Sequence, residues 1–375
     1  MLMKCLAFTR AFRPPCAFTR VALAVFVAMA LLAPSRPACA VAWEDVYFHG
    51  YMDFLYKQNT KAEAPDDPNT PSPTNGSFDF RHLTFLADIH VMPELWIKTN
   101  VEFDHTPDTE LGFGGIIMEY GFAEYMVQDW LKLRAGKSLT PYGIFNEVHD
   151  ASPTYLSVNV PELVYKADTK GGFAFIPKWV TGLSALGNTS PCGGCEFDYV
   201  IYVGNGESVG VNEGQFDSNH NKAVGGRAQI SFNDEQFLAG LSAFYDEAAV
   251  SPTNLTESHW AYLISLNYNL SNLNLKAEYG QSRLGSRTES AGYLQSSYRI
   301  GRYTPYLMVQ SIDPSDLQSD DYWNIYMAGV NVRVNKHMFL KFEWRENSRG
   351  KNNIGIIKSG NEDFGEFKSA LTIYF

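Results

Sequence analysis

The chain has 375 residues, of which 19% are charged and 14% aromatic, with 25 Phe, 21 Tyr and 7 Trp. Its mean hydropathy of −0.20 excludes a helical membrane protein. The formal net charge is −11, and residues 1–40 hold five basic and no acidic side chains, so the remainder carries 25 basic against 41 acidic residues, or −16, which argues against nucleic acid as a partner.

The amino-terminal stretch reads as a targeting segment. Lys4, Arg10, Arg13 and Arg20 precede an apolar run over 21–32, and Ala38-Cys39-Ala40 follows. Twelve apolar residues are too few to span a bilayer, which takes about 20. Basic region, apolar core and small-residue site together predict a signal peptide over 1–40, cut after Ala40. A lipoprotein reading through Cys39 is weaker, because Arg36 stands where a lipobox wants Leu. Residues 41–375 then form one domain.

From Val41 onward, segments of roughly ten residues alternate apolar with polar, cut by turn residues. In 95–104, Leu95, Ile97, Thr99, Val101 and Phe103 share one face; Trp96, Lys98, Asn100, Glu102 and Asp104 share the other. The predicted strands are 46–56, 78–91, 95–105, 114–127, 131–137, 173–187, 196–204, 222–232, 237–246, 258–270, 273–283, 291–300, 303–311, 322–334, 338–346 and 364–375. The assignment of 173–187 is interrupted by Pro177. In a soluble sandwich the apolar faces would form the core; in a membrane barrel they face lipid and the polar faces line water. Short connections alternate with long ones, as the periplasmic turns and external loops of such barrels do. Counting inward from both ends makes 138–172 and 205–221 external, and places the 188–195 hairpin in the periplasm. The fold class expected is therefore all-β: a transmembrane antiparallel β-barrel of about 16 strands, in the outer membrane.

The last strand has Phe367, Leu371, Ile373 and Phe375 on one face. It resembles the C-terminal strand of bacterial outer-membrane proteins, which implies insertion by the outer-membrane assembly machinery. The connection 138–172 is the longest, at 35 residues, and is rich in aliphatic and aromatic side chains. Such a composition does not suit disorder. It is expected to fold into the lumen as a constriction loop carrying Tyr142, Phe145, Asn146, Glu147, His149 and Asp150. The alternative is an external loop packed on its neighbours.

The run from Arg134 to Gly143, RAGKSLTPYG, together with Val203-Gly-Asn-Gly206, resembles bacterial porins of the phosphate-selective porin O/P-like family. The resemblance covers most of the chain in layout but only short motifs in residues. It implies a water-filled barrel, often a homotrimer, passing small solutes. A narrower resemblance, to porins found with selenite/tellurite-reduction operons, implies an oxyanion.

Strand charges should point inward, because Arg or Lys on the lipid face at the midplane costs about 2–4 kcal/mol. Register assigns eleven inward basic residues: Lys98, Lys132, Arg134, Lys178, Arg227, Lys276, Arg299, Arg333, Lys341, Arg345 and Lys368. The inward acids are nine: Asp53, Asp88, Glu102, Asp104, Glu119, Asp198, Glu278, Glu343 and Glu366. The wall is thus near +2 although the chain is acidic. Lys341, Arg345, Arg333 and Arg299 are expected to form a basic arc suited to oxyanions. The alternative is that these charges pair across strands and merely hydrate the lumen, while acidic loops gather cations at the mouth.

Cys192-Gly-Gly-Cys195 is the expected disulfide of a tight periplasmic turn. It lacks the His of a haem attachment motif and the second ligand pair of structural zinc. A redox or docking role is the other reading. The histidines show no metal-ligand spacing, Gly204-Asn-Gly206 lacks the context of a phosphate loop, and no nucleophile elbow occurs. No enzyme, cofactor or metal is expected. The function predicted is passive diffusion of small hydrophilic solutes, anions or oxyanions first. The alternatives are a general or cation-preferring porin and a barrel that docks a periplasmic redox partner.

Overall fold

The computed structural model describes residues 41–61, 74–108, 113–148, 150–165, 175–205, 221–249, 256–317, 319–351 and 363–375. The expected signal peptide, His149 and part of the long connection lie outside the described residues. Sixteen strands form one closed antiparallel barrel. They are β1 (Val46–Asn59), β2 (Ser77–Met92), β3 (Leu95–Asp108), β4 (Phe113–Gln128), β5 (Leu131–Leu139), β6 (Trp179–Cys192), β7 (Cys195–Gly204), β8 (Ala223–Phe232), β9 (Phe237–Ala249), β10 (Thr256–Leu270), β11 (Leu273–Leu284), β12 (Arg287–Tyr298), β13 (Tyr303–Asp313), β14 (Trp323–Arg333), β15 (Met338–Arg349) and β16 (Phe364–Tyr374). Each pairs with its neighbours in sequence. β1 closes on β16 from Tyr51↔Tyr374 to Asn59↔Glu366. Closure leaves no strand edge to be satisfied by a partner.

Alternation sets the two faces. In β13, Leu307 and Val309 are exposed outward at 63% and 44%, while Tyr306, Met308 and Gln310 between and beside them are buried. The same outward band includes Ile201, Leu241, Ile264, Leu294 and Tyr326. Short turns gather at one end. The tightest, Gly193-Gly194 between Cys192 and Cys195, needs a positive φ of 80° at Gly194, which glycine adopts at no steric cost.

Three local departures from the sequence expectation have physical causes. First, β6 begins at Trp179, opposite Leu139, and not at 173. Pro177 lacks the N–H that the ladder needs. β6 then continues to Cys192, so the turn is two residues long and not eight. Second, a bulge in β2 places Arg81 as an extra residue between the pairs Asp53↔His82 and Phe54↔Phe80. Third, a bulge in β4 places Glu119 between Asn100↔Tyr120 and Val101↔Met118. Each bulge reverses which parity faces inward.

The described residues of the connection between β5 and β6 pack against the inner wall of the barrel. They include two short 3-10 turns, Asn146–Val148 and Ser152–Thr154, and a helical turn α1 (Glu162–Tyr165). A four-residue helix has little stability of its own. Packing holds it instead. Tyr142, Phe145, Leu163, Val164 and Phe175 form one buried cluster with Leu263, Tyr293, Met308, Ile312, Ile325 and Met327 of the inner wall. Fully burying one such side chain contributes roughly 1.5–3 kcal/mol. The inner face is therefore apolar in patches where it was expected to be polar throughout, and those patches are what the connection covers.

Candidate functional site

The connection is tied to strands all around the barrel. Arg81, turned inward by the β2 bulge and 6% exposed, pairs with Asp53 of β1 and donates to Asn159 and to Val158 O, the last at 2.9 Å. On β15, Lys341 is fully buried. Its Nζ donates to Ser152 O at 2.6 Å, Tyr155 O at 2.7 Å and Ser157 O at 2.8 Å. An ammonium has three donors, so all three are used. Glu343 accepts from Val158 N at 2.8 Å and Tyr306 Oη at 2.6 Å. Arg345 joins Glu343 to Glu162 of α1, with both contacts at 2.6 Å. Lys368 of β16 stands 3.6 Å from Glu162 and 3.1 Å from Glu366. Burial alone would push the Glu162 carboxyl up, but Arg345 and Lys368 beside it hold it well below the usual carboxylate range.

A second set of ties lies across the interior. Gly143 N donates to Ser242 Oγ at 3.0 Å, and Arg227 donates to Gly143 O at 3.0 Å. Arg227 also pairs with Glu147 at 2.7 Å. Ile144 N donates to Glu278 Oε1 at 2.9 Å, and Tyr165 Oη bonds the same carboxylate. Gly143 has φ +58°, the left-handed region that favours glycine, and a Cβ there would stand 2.7 Å from Leu263 Cδ2, so a side chain would strain the backbone and displace its neighbours. The neck is closed by Asn146 Nδ2, which donates to Thr140 O and Lys178 O at 2.8 and 3.0 Å.

Toward β1–β4 the connection borders open space. A cavity of about 470 Å³ is lined by Tyr51, Asn100, Glu119, Glu147 and Asp150 among others. The carboxylates of Glu102, Glu119 and Asp150 have oxygens within 4.8 Å of one another, and His82 lies 4.0 Å from Glu102 and 3.6 Å from Asp104. No spacing in the sequence pointed to this cluster. Lys178 Nζ compensates it, at 2.9 Å from Asp150 and 3.5 Å from Glu119. Burial opposes the Lys178 charge, but those carboxylates prevail and raise its pKa.

The basic residues read from the sequence thus fall into separate environments. Lys341 and Arg345 are buried anchors of the connection. Arg333 and Arg299 are exposed at the short-turn end, so the four do not meet in one arc. Arg227 holds Gly143 and Glu147. Lys276 is half-buried, 5.0 Å from the Phe145 ring centroid. Lys98, Lys132 and Arg134 keep side-chain exposures of 33%, 41% and 16% near the short turns, close to Asp88 and Glu124. Tyr142, Phe145 and Asn146 are buried in the connection, and Glu147 and Asp150 border the cavity. Cys192 and Cys195 form a disulfide.

Three important residues were missed. Arg81 and Glu124 face inward only because of the bulges. Glu162 lies in no strand, so parity assigned it nothing. One signal was available: Phe78 and Phe80 share a parity that Leu83 and Phe85 do not, and such a phase jump marks a bulge.

No protein-family model and no curated protein matches the chain. Solved structures do. An anion-selective porin from Comamonas acidovorans is similar over 88% of this chain and 99% of its own, with a TM-score of 0.62 at 13% identity. Salmonella typhi OmpF in complex with daunomycin is similar over 90% and 100%, with a TM-score of 0.62 at 12% identity. The outer membrane channel DcaP of Acinetobacter baumannii is similar over 90% and 100%, with a TM-score of 0.57 at 10% identity. At such identities the likeness is one of fold, and the fold is that of bacterial outer-membrane porins.

Proposed function

We propose that the chain is an outer-membrane porin for passive diffusion of small hydrophilic solutes. On this reading residues 1–40 direct export and the assembly machinery inserts the barrel, which associates as a homotrimer. The segment 140–178 narrows the path. The observation that carries the reading is the anchoring of that segment to β2, β8, β9, β11 and β13–β15, with a charged cavity left beside β1–β4. A segment anchored on opposite walls lies across the path that a solute would take.

The solutes proposed are anions. The supporting residues are Lys98, Lys132, Arg134 and Arg227, basic side chains of the inner wall that keep some solvent exposure. An oxyanion filter in the stricter sense would use guanidinium forks. Arg134 and Arg227 are both engaged, by Glu124 and Glu147, so a general anion preference fits better than recognition of phosphate or selenite. Glu119, Glu147 and Asp150, which line the cavity, and Glu102 beside two of them favour a second reading, cation preference. The reversal potential of a planar bilayer under a KCl gradient separates the two. Its sign for anions supports the first reading, its sign for cations the second, and a bilayer without conductance rejects the porin.

A further inference from the structure

A separate cavity of about 290 Å³ opens on the inner wall where β2–β5 approach the short turns. It is lined by Asp88, Trp96, Lys98, Glu124, Met126 and Lys132. The mechanism of diffusion proposed above has no use for its apolar members. Trp96 is held in place: the His90 ring stacks on it with centroids 4.3 Å apart and planes at 15°. Lys98 Nζ stands 5.9 Å from the indole centroid, within reach of an anion resting against the ring.

The charges around the cavity are unequal. Arg134 donates to Glu124 Oε2 from Nε at 3.1 Å and from Nη2 at 2.8 Å, and so neutralises that carboxylate. Lys132 Nζ is 3.9 Å from the other Glu124 oxygen, too far for a hydrogen bond. Lys98 Nζ is 3.6 Å from Asp88, also beyond hydrogen-bond length. Once Arg134 has satisfied Glu124, two ammoniums face one carboxylate. Indole and thioether supply a polarisable apolar surface next to that surplus positive charge.

We propose that this cavity is a binding subsite for monocyclic aromatic carboxylates, with the ring on Trp96 and Met126 and the carboxylate between Lys98 and Lys132. Its volume falls just below the range of about 300–1,000 Å³ usual for drug-sized ligands, which suits one ring and not two. As a station on a diffusion path it rests on the porin reading; as a binding site it does not.

Benzoate is the probe, with acetate lacking the ring and benzyl alcohol lacking the charge. In bilayers, benzoate added on the short-turn side interrupts the KCl current at concentrations about tenfold lower than either control. Trp96→Ala removes the advantage of benzoate over acetate. Lys98→Gln with Lys132→Gln removes its advantage over benzyl alcohol. Calorimetric titration of the folded barrel in detergent, its folding checked by heat-modifiable gel mobility, reads the same preferences whether or not the barrel conducts. Equal affinities for benzoate and acetate, or a Trp96→Ala variant that binds benzoate like the wild type, would overturn the proposal. A barrel that binds benzoate but passes no current would leave the site standing and remove the porin.

Discussion

Arg345 of β15 meets Glu162 of α1 inside the barrel, Nη1 to Oε2 at 2.6 Å, although 183 residues separate them in the chain. Arg345 is 1% exposed, and its guanidinium also contacts Glu343. Removing one partner of a buried pair costs about 3–5 kcal/mol. Glu162 keeps a fifth of its side chain exposed, so the lower figure applies here.

Arg345→Ala is therefore expected to loosen α1 while leaving the sixteen-strand ladder intact. Unit conductance and open-state noise should both rise in planar bilayers. A variant with wild-type conductance and quiet traces would falsify the assignment of this segment as the narrowing element.

Lys341 makes a sharper test of anchoring against pore lining. Lys341→Met leaves three buried carbonyls without their donor, and each costs about 1–3 kcal/mol. Protease added to the folded barrel should then cut within 152–165, where the wild type resists. The reversal potential should stay unchanged, because the ammonium is fully buried and faces no solute. A shift in selectivity would show that Lys341 meets the pore after all.

Lys98 and Lys132 should behave in the opposite way. Both retain about a third or more of their side-chain surface. Reversing them to Glu moves four charge units on the inner wall. The reversal potential is expected to shift toward cations, more strongly at low ionic strength, where screening is weak. Zero shift at low salt would remove these residues from the account of charge preference.

The tie through Glu162 also carries a pH signature. Its carboxyl is held below the ordinary range when docked, so its pKa is lower docked than undocked. The docking contribution is then complete above the ordinary carboxylate range and is lost as pH falls through the depressed docked value. Conductance should stay flat from neutral pH down to about pH 4 and increase only below it. Glu162→Gln should lack that acid step. An onset near pH 6 in the wild type would point to groups other than Glu162.

The ladder was legible because apolar and polar residues alternate wherever one face meets water and the other does not. The same rule explains the failures. Met308, Ile312, Ile325 and Met327 face inward, yet Leu307 and Val309 beside them face outward, so parts of β13 and β14 are apolar on both sides. Apolar residues on both faces mean that both are covered; that was the available clue to a covering segment. Lys341 and Arg345 stand in a strand whose alternation is plain, but their partners are carbonyls and a carboxylate more than 180 residues away in the chain. Nothing local distinguishes a charge in water from a charge that serves as an anchor. Arg81 and Glu124 were lost to single-residue bulges, which alternation counts as noise.

The fastenings of the inner segment come mostly from strands that leave the ribosome after it. Glu162 waits for Arg345, and the carbonyls of 152–157 wait for Lys341. A sheet that lacks β15 therefore offers Glu162 no guanidinium and those carbonyls no ammonium. Docking of the segment and completion of the ring are linked through one strand, since β15 also pairs with β16, which meets β1.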